Sequence, residues 1–156
     1  MILAVPNGVA DDCFGSSITI SGNTVIIGAW GDADHGNVSG SAHVFFQNRV
    51  TWLHQTKLLT PNGAAPDQFG WIMAIYGDAV IVGAFGDNDN KIRSTSAHIF
   101  VENGVTWSHQ SKLLAPDGSD GVCFGLIMGI HGGTSIVGAY RDDKNGEGGR
   151  SAHVFF

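Results

Sequence analysis

The sequence predicts an all-β chain built from three tandem four-stranded antiparallel repeats. Three observations carry that prediction: a 55-residue internal period, four short strand-like runs in each period, and a composition suited to tight turns. Glycine contributes 23 of the 156 residues and proline only 4, and glycine supplies the positive φ that tight turns demand. Hydrophobic residues make up 43% and charged residues 14%, which suits a packed core and argues against a disordered chain.

Four motifs keep one register, and together they define the period. Phe14-Gly15 recurs as Phe69-Gly70 and Phe124-Gly125, where 69 − 14 and 124 − 69 are both 55. Gly28-Ala29, Gly83-Ala84 and Gly138-Ala139 hold the same interval, as do Ser41-Ala42-His43, Ser96-Ala97-His98 and Ser151-Ala152-His153. The stretch from Thr51 to Leu59 returns from Thr106 to Leu114. The repeats fall at about 5–59, 60–114 and 115–156, the last incomplete, within one domain spanning 1–156.

In the first copy, the first strand is expected from Ser17 to Ile20, ahead of a Ser21-Gly22-Asn23 turn. The second, Thr24 to Ala29, is apolar almost throughout, as a strand buried on both faces should be. A polar loop from Gly31 to Gly40 leads into the third strand, Ser41 to Phe46. The fourth, Val50 to Leu59, alternates polar with apolar and ends at Pro61-Asn62-Gly63, the pattern of an outer strand with one wet face. Gly-centred turns recur at Tyr76-Gly77-Asp78 and His131-Gly132-Gly133, and such short hairpins make neighbouring strands antiparallel.

Tandem four-stranded units build either a propeller or a solenoid. A period of 55 is close to the roughly 40–50 residues of a propeller blade and long for a solenoid coil, so these repeats read as β-propeller blades. Met1 to Ala4 aligns with the end of a fourth strand, and Phe156 with the end of a third. Propellers close with about 4–8 blades, so the expectation is a part of a larger propeller, with closure by self-association of copies as the alternative.

With these motifs in hand, the chain resembles the FG-GAP repeat family. Phe-Gly at 14, 69 and 124 is followed by Gly-Ala at 28, 83 and 138, with Trp30, Phe85 and Tyr140 where the family carries proline. Histidine at 43, 98 and 153 replaces the tyrosine common in the family's third-strand motif. The resemblance implies an integrin-α-like propeller and a non-catalytic binding or adhesion scaffold, extracellular or at the cell surface, with a protein or glycan ligand. The family's calcium loop does not carry over, because the connection between the first two strands is only Ser21-Gly22-Asn23.

Acidic residues gather instead after Gly-Ala, at Asp32 and Asp34 in the first copy and Asp87 and Asp89 in the second. Calcium takes about six to eight oxygens, and an Asp-x-Asp turn supplies several, so these four are the candidate Ca2+ ligands. The competing reading is an exposed turn in which Asp and Asn cap their own backbone. In the third copy, Lys144 stands where the second carboxylate would be.

Five of the seven histidines, at 43, 98, 153, 54 and 109, occupy repeat-equivalent places, so structural roles are expected rather than one shared ion. Cys13 and Cys123 lie two repeats apart and are expected to be free thiols. Asn37-Val38-Ser39 is a glycosylation sequon on a predicted loop. Trp52 and Trp107 open the fourth strands, where they either pack between blades or stack on sugars in a lectin-like propeller.

No Gly-x-Ser-x-Gly elbow, phosphate loop or His-Glu-x-x-His motif is present, and the chain is expected not to be an enzyme. A formal charge of −6 makes nucleic acid a poor partner. No apolar run approaches the roughly 20 residues of a membrane span, and the first residues lack the basic region of a secretion signal.

Overall fold

The computed structural model describes residues 1–88, 95–104, 106–116, 121–142 and 149–156. Among them there is no helix, and three antiparallel sheets follow the three repeats in order. The first holds β1 (Phe14–Ser21), β2 (Thr24–Ala29), β3 (Ser41–Asn48) and β4 (Thr51–Leu58), each paired with the next. The second holds β5 (Phe69–Tyr76), β6 (Ala79–Ala84), β7 (Ser96–Glu102) and β8 (Trp107–Leu113). The third holds β9 (Cys123–His131), β10 (Thr134–Tyr140) and β11 (Arg150–Phe155).

β2 is buried along its whole length as its composition demands, β6 at every residue but its first, and β4 alternates as an outer strand should. The first strand starts earlier than its apolar run suggested. Phe14 pairs with Ala29, and the register then slips before Ile18 meets Ile27, so a bulge carries the strand back to the Phe-Gly motif. The bulge needs glycine: Gly15, Gly70 and Gly125 sit at φ 92, 90 and 88. Residues 1–5 form no strand, contrary to the expected strand end at Met1 to Ala4. Leu3 and Val5 instead lie as irregular chain against Val25, Ile27 and Phe45.

The sheets stack face to face. β5 packs on β1 and β2, and β9 packs on β5 and β6, so the first strands gather along one edge while the fourth strands lie away from it. Ile26, Ala42, Val44 and Leu58 of the first sheet meet Phe69, Val80, Val82 and Phe100 of the second. Ile81, Ala97 and Leu113 of the second sheet meet Phe124, Val137 and Ala139 of the third in the same way. The stack is open at its end. Ile26 and Ile81 are fully buried, whereas Ile136, at the same place in the third repeat, is 48% exposed.

The Phe-Gly and Gly-Ala motifs meet across the sheet boundary. A Cβ built on Gly28 would lie inside the contact distance of the Gly70 carbonyl oxygen and the Ser17 hydroxyl. At Gly83 the equivalent atom would stand 3.0 Å from the Gly125 carbonyl oxygen. Gly28→Ala should therefore destabilise by about 1–3 kcal/mol through overpacking, and Gly83→Ala by less. Urea unfolding of the two variants checks the ranking.

Candidate functional site

The polar residues shared by the repeats assemble into one cluster per sheet, on the face that looks toward the preceding repeat. Asp32 follows the end of β2, Ser41 and His43 lie on β3, and His54 and Lys57 lie on β4. Strict strand alternation would put residues 54 and 57 on opposite faces. The register between β3 and β4 slips between Val44 and Phe45, so His43 pairs with Lys57 and Phe45 with His54. Gln55 is the extra residue, and the bulge brings both side chains to the His43 face. The same slip recurs in the second sheet, where Phe100 pairs with His109 and His98 with Lys112.

The hydrogen bonds run one way. Asp32 accepts from the Ser41 hydroxyl at 2.8 Å, from the Asp34 backbone N–H at 2.9 Å and from Lys57 Nζ at 2.5 Å. A carboxylate only accepts, so the Ser41 oxygen must in turn accept from His43 Nε2, 3.1 Å away. Neutral His43 is left with a bare Nδ1, which accepts from His54 Nε2 at 3.1 Å. In the second sheet the corresponding distances are 2.5 Å for Ser96 to Asp87 and 3.1 Å for both Ser96–His98 and His98–His109. Lys112 Nζ is 2.5 Å from Asp87. The third sheet repeats the first three members, with Ser151 donating to Asp142 and lying 3.0 Å from His153 Nε2.

The electrostatics follow from this packing. Burial alone would raise the Asp32 pKa, but the hydrogen bonds from Lys57, the Asp34 N–H and Ser41 outweigh it and hold the carboxyl below its usual range. Burial would likewise lower Lys57, and its bonds to Asp32 and Asp34 hold it above its usual value. Burial, then the Lys57 ammonium and the His54 ring, push His43 down to about 4. Burial and a neighbouring lysine lower His54 and His109. The clusters are closed chemistry: Ser41 and Ser96 are fully buried, and among the described residues no buried side-chain polar atom lacks a partner.

The carboxylates that the sequence offers to calcium are placed differently from one another. Asp32 is buried and Asp34 exposed, and Lys57 Nζ lies 2.5 Å from a carboxylate oxygen of each, so the cation they share is an ammonium. Asp87 is buried beside Lys112, and Asp89 lies outside the described residues, as do Asp143, Lys144 and Glu147. Among the described residues no group of three or more His, Cys, Asp or Glu side chains is arranged to hold a metal ion. Cys13 and Cys123 are free thiols. Trp52 packs against Val25, Ile27 and Phe45, and Trp107 against the core between the first two sheets. Trp107 also donates its indole N–H to Gln55 of the first sheet at 3.2 Å, tying one blade to the next.

Each cluster borders a cleft under the connection that precedes its sheet. Pro6, Asn7, Asp12, His43, His54 and Lys57 line a cleft of 380 Å³ in the first repeat. Pro61, Asn62, Asp67, His98, His109 and Lys112 line one of 250 Å³ in the second. The motif that names such repeats, Phe-Gly set against Gly-Ala, is thus a packing contact between sheets. A family model described as FG-GAP repeat matches residues 2–45, 52–100 and 107–155. The chain belongs to the FG-GAP repeat family. No curated protein matches it. Each matched stretch takes in the first three strands of one sheet, with its Asp-Ser-His residues, and the second and third stretches open on the fourth strand of the sheet before, β4 and β8.

That cluster was open to sequence reasoning and missed by it. Asp at 32, 87 and 142, Ser at 41, 96 and 151, His at 43, 98 and 153, His at 54 and 109 and Lys at 57 and 112 share the 55-residue register. The link between Asp and the later residues was hidden because both readings of the acidic loop, ion site and self-capped turn, kept its carboxylates within the loop.

Proposed function

We propose that these FG-GAP blades form a non-catalytic binding or adhesion scaffold, extracellular or at the cell surface, that takes a protein ligand. The observation that carries this reading is the repetition of the Asp-Ser-His cluster. By residue type it could serve as a nucleophile relay, but every sheet holds its own copy and the hydroxyls of Ser41 and Ser96 are sealed from solvent. A hydroxyl that no substrate can touch is no nucleophile, so in the first two sheets the cluster stabilises the blade. Recognition then falls to the blade surfaces and the loops beyond Gly-Ala, where the repeats differ most.

A protein ligand is preferred to a glycan because Trp52 and Trp107, the rings offered to sugars, are engaged in packing. Asn37 of the sequon is exposed, as suits a protein that passes through a glycosylating compartment on its way out of the cell. The open face around Ile136 and Val154 is the surface through which self-association would extend the propeller. Purified protein should turn over none of a panel of ester, phosphoester and glycoside substrates. Ser41→Ala with Ser96→Ala should lower the melting temperature and leave those rates at zero. Turnover in the parent that disappears in this variant would replace the scaffold with an enzyme.

A further inference from the structure

A row of aromatic rings runs across the repeats at the end where the Phe-Gly and Gly-Ala motifs meet. Trp30 and Phe85 follow the Gly-Ala of the first and second repeats, and Trp71 follows the Phe-Gly of the second. Trp71 bridges the other two rings. Its ring centroid is 5.3 Å from that of Trp30 and 5.1 Å from that of Phe85, stacked on the latter at 24°. Rings at these separations sit within the favourable range for aromatic pairs. Trp30 and Phe85 are thus the walls of a slot, and Trp71 is its occupant.

One repeat later the walls are kept and the occupant is lost. Phe85 and Tyr140 hold the wall positions, each 55 residues beyond Trp30 and Phe85, while the place of Trp71 is taken by Leu126. Phe85, Leu126 and Tyr140 line a cleft of 520 Å³ between the second and third sheets. Tyr140 is 42% exposed. Arg141 is the one charged side chain among the described residues lining this cleft, and its guanidinium carbon lies 5.7 Å from the centre of the Tyr140 ring. A cation held there suits a ligand anion in a chain whose formal charge is −6.

We propose that the cleft between Phe85 and Tyr140 is a binding slot for a planar aromatic ring of indole size carrying a negative charge. The ligand ring takes the position that Trp71 occupies one repeat earlier, and its anionic group faces Arg141. This deepens the scaffold reading and rests on it, since it names the chemistry that the blade end recognises. An aromatic side chain next to an acidic residue on a partner polypeptide would present that chemistry.

Indole-3-acetate is the probe, titrated into the intact chain by calorimetry or by ligand-detected NMR. A fragment of this size should bind one site per chain with a dissociation constant on the order of 1 mM. Tryptamine, with a similar ring and the opposite charge, should bind about tenfold more weakly. Leu126→Trp should fill the slot from within, abolish binding and raise Tm by about 2–4 °C. Trp71→Leu should open a second slot, weaker for indole-3-acetate and indifferent to the probe's charge, because Gly86 stands there in the place of Arg141. Tyr140→Ala removes an exposed wall, so it should keep the fold and weaken binding at least fivefold.

Absence of indole-3-acetate binding, or binding undiminished in both Leu126→Trp and Tyr140→Ala, overturns the slot. Equal binding of tryptamine overturns its anionic preference. Neither result bears on the substrate panel, whose outcome decides the scaffold reading separately.

Discussion

Phe69→Ala should cost about 3–5 kcal/mol of unfolding free energy, while the equivalent Phe14→Ala should cost about 1 kcal/mol. Both rings make the same contacts within their own sheets. Phe69 lies edge-on to His98 at 5.6 Å and to Phe100 at 5.8 Å, and Phe14 to His43 at 5.7 Å and to Phe45 at 6.1 Å. They differ in what covers the other side. Phe69 is fully buried against Ile26, Ala42, Val44 and Leu58 of the preceding sheet, whereas Phe14 is only half-buried, with Leu3 and Val5 in its cluster. The difference between the two losses is therefore the contribution of blade stacking. Urea unfolding monitored by tryptophan fluorescence measures it, provided that the slope is unchanged between variants. Equal losses would mean that the sheets are stable independently, and the stacked-blade account would fail.

Much of this architecture was legible because repetition averages out local ambiguity. A single Phe-Gly or Gly-Ala pair says little, but three copies at one spacing locate β1, β5 and β9 together with β2, β6 and β10. Burial on both faces of β2 could be read directly, since a run such as Val25-Ile26-Ile27 has no polar face to turn to water. Bulges were not legible. The slip at Gln55 depends on how β3 and β4 pair, and no local pattern reports it, yet it alone sets His54 and Lys57 beside His43. The outer-strand rings could be read only as alternatives, packing or sugar stacking, and the structure packs both: Trp107 against the core between the first two sheets, and Trp52 against its own sheet beside Leu3 and Val5. Trp71 and Leu126 gain meaning only when sheets stack, because their partners on the preceding sheet, Trp30 and Phe85, each lie 41 residues back in sequence.

Asp32→Ala should destabilise the chain by about 3 kcal/mol, and Asp34→Ala by less than 1 kcal/mol, although both carboxylates touch the same ammonium. Asp32 is the buried terminus of the donor chain, so its loss strands the Ser41 hydroxyl and, behind it, two imidazoles whose tautomers it fixes. Asp34 is an exposed partner of Lys57 and is screened by water. If calcium were the ion these residues serve, the two variants should instead lose a calcium-dependent rise in Tm together. Acid should attack the same cluster. His43 titrates near 4 in the folded chain against an ordinary value of 6.5, so the unfolded chain takes up the proton first. Its contribution is complete above pH 6.5 and disappears as pH falls toward 4, worth about 1–2 kcal/mol once solvent screening is allowed for. His54 and His109 shift in the same direction. A second proton is worse than the first: with both rings charged, His43 Nδ1–H would face His54 Nε2–H across 3.1 Å, two donors with no acceptor between them. The same collision waits at His98 and His109, so stability measured from pH 8 to pH 4 should fall more steeply than one histidine allows. His54→Gln with His109→Gln should flatten that fall, and a parent whose stability is indifferent to pH over this range would show that the paired imidazoles do not hold the blades.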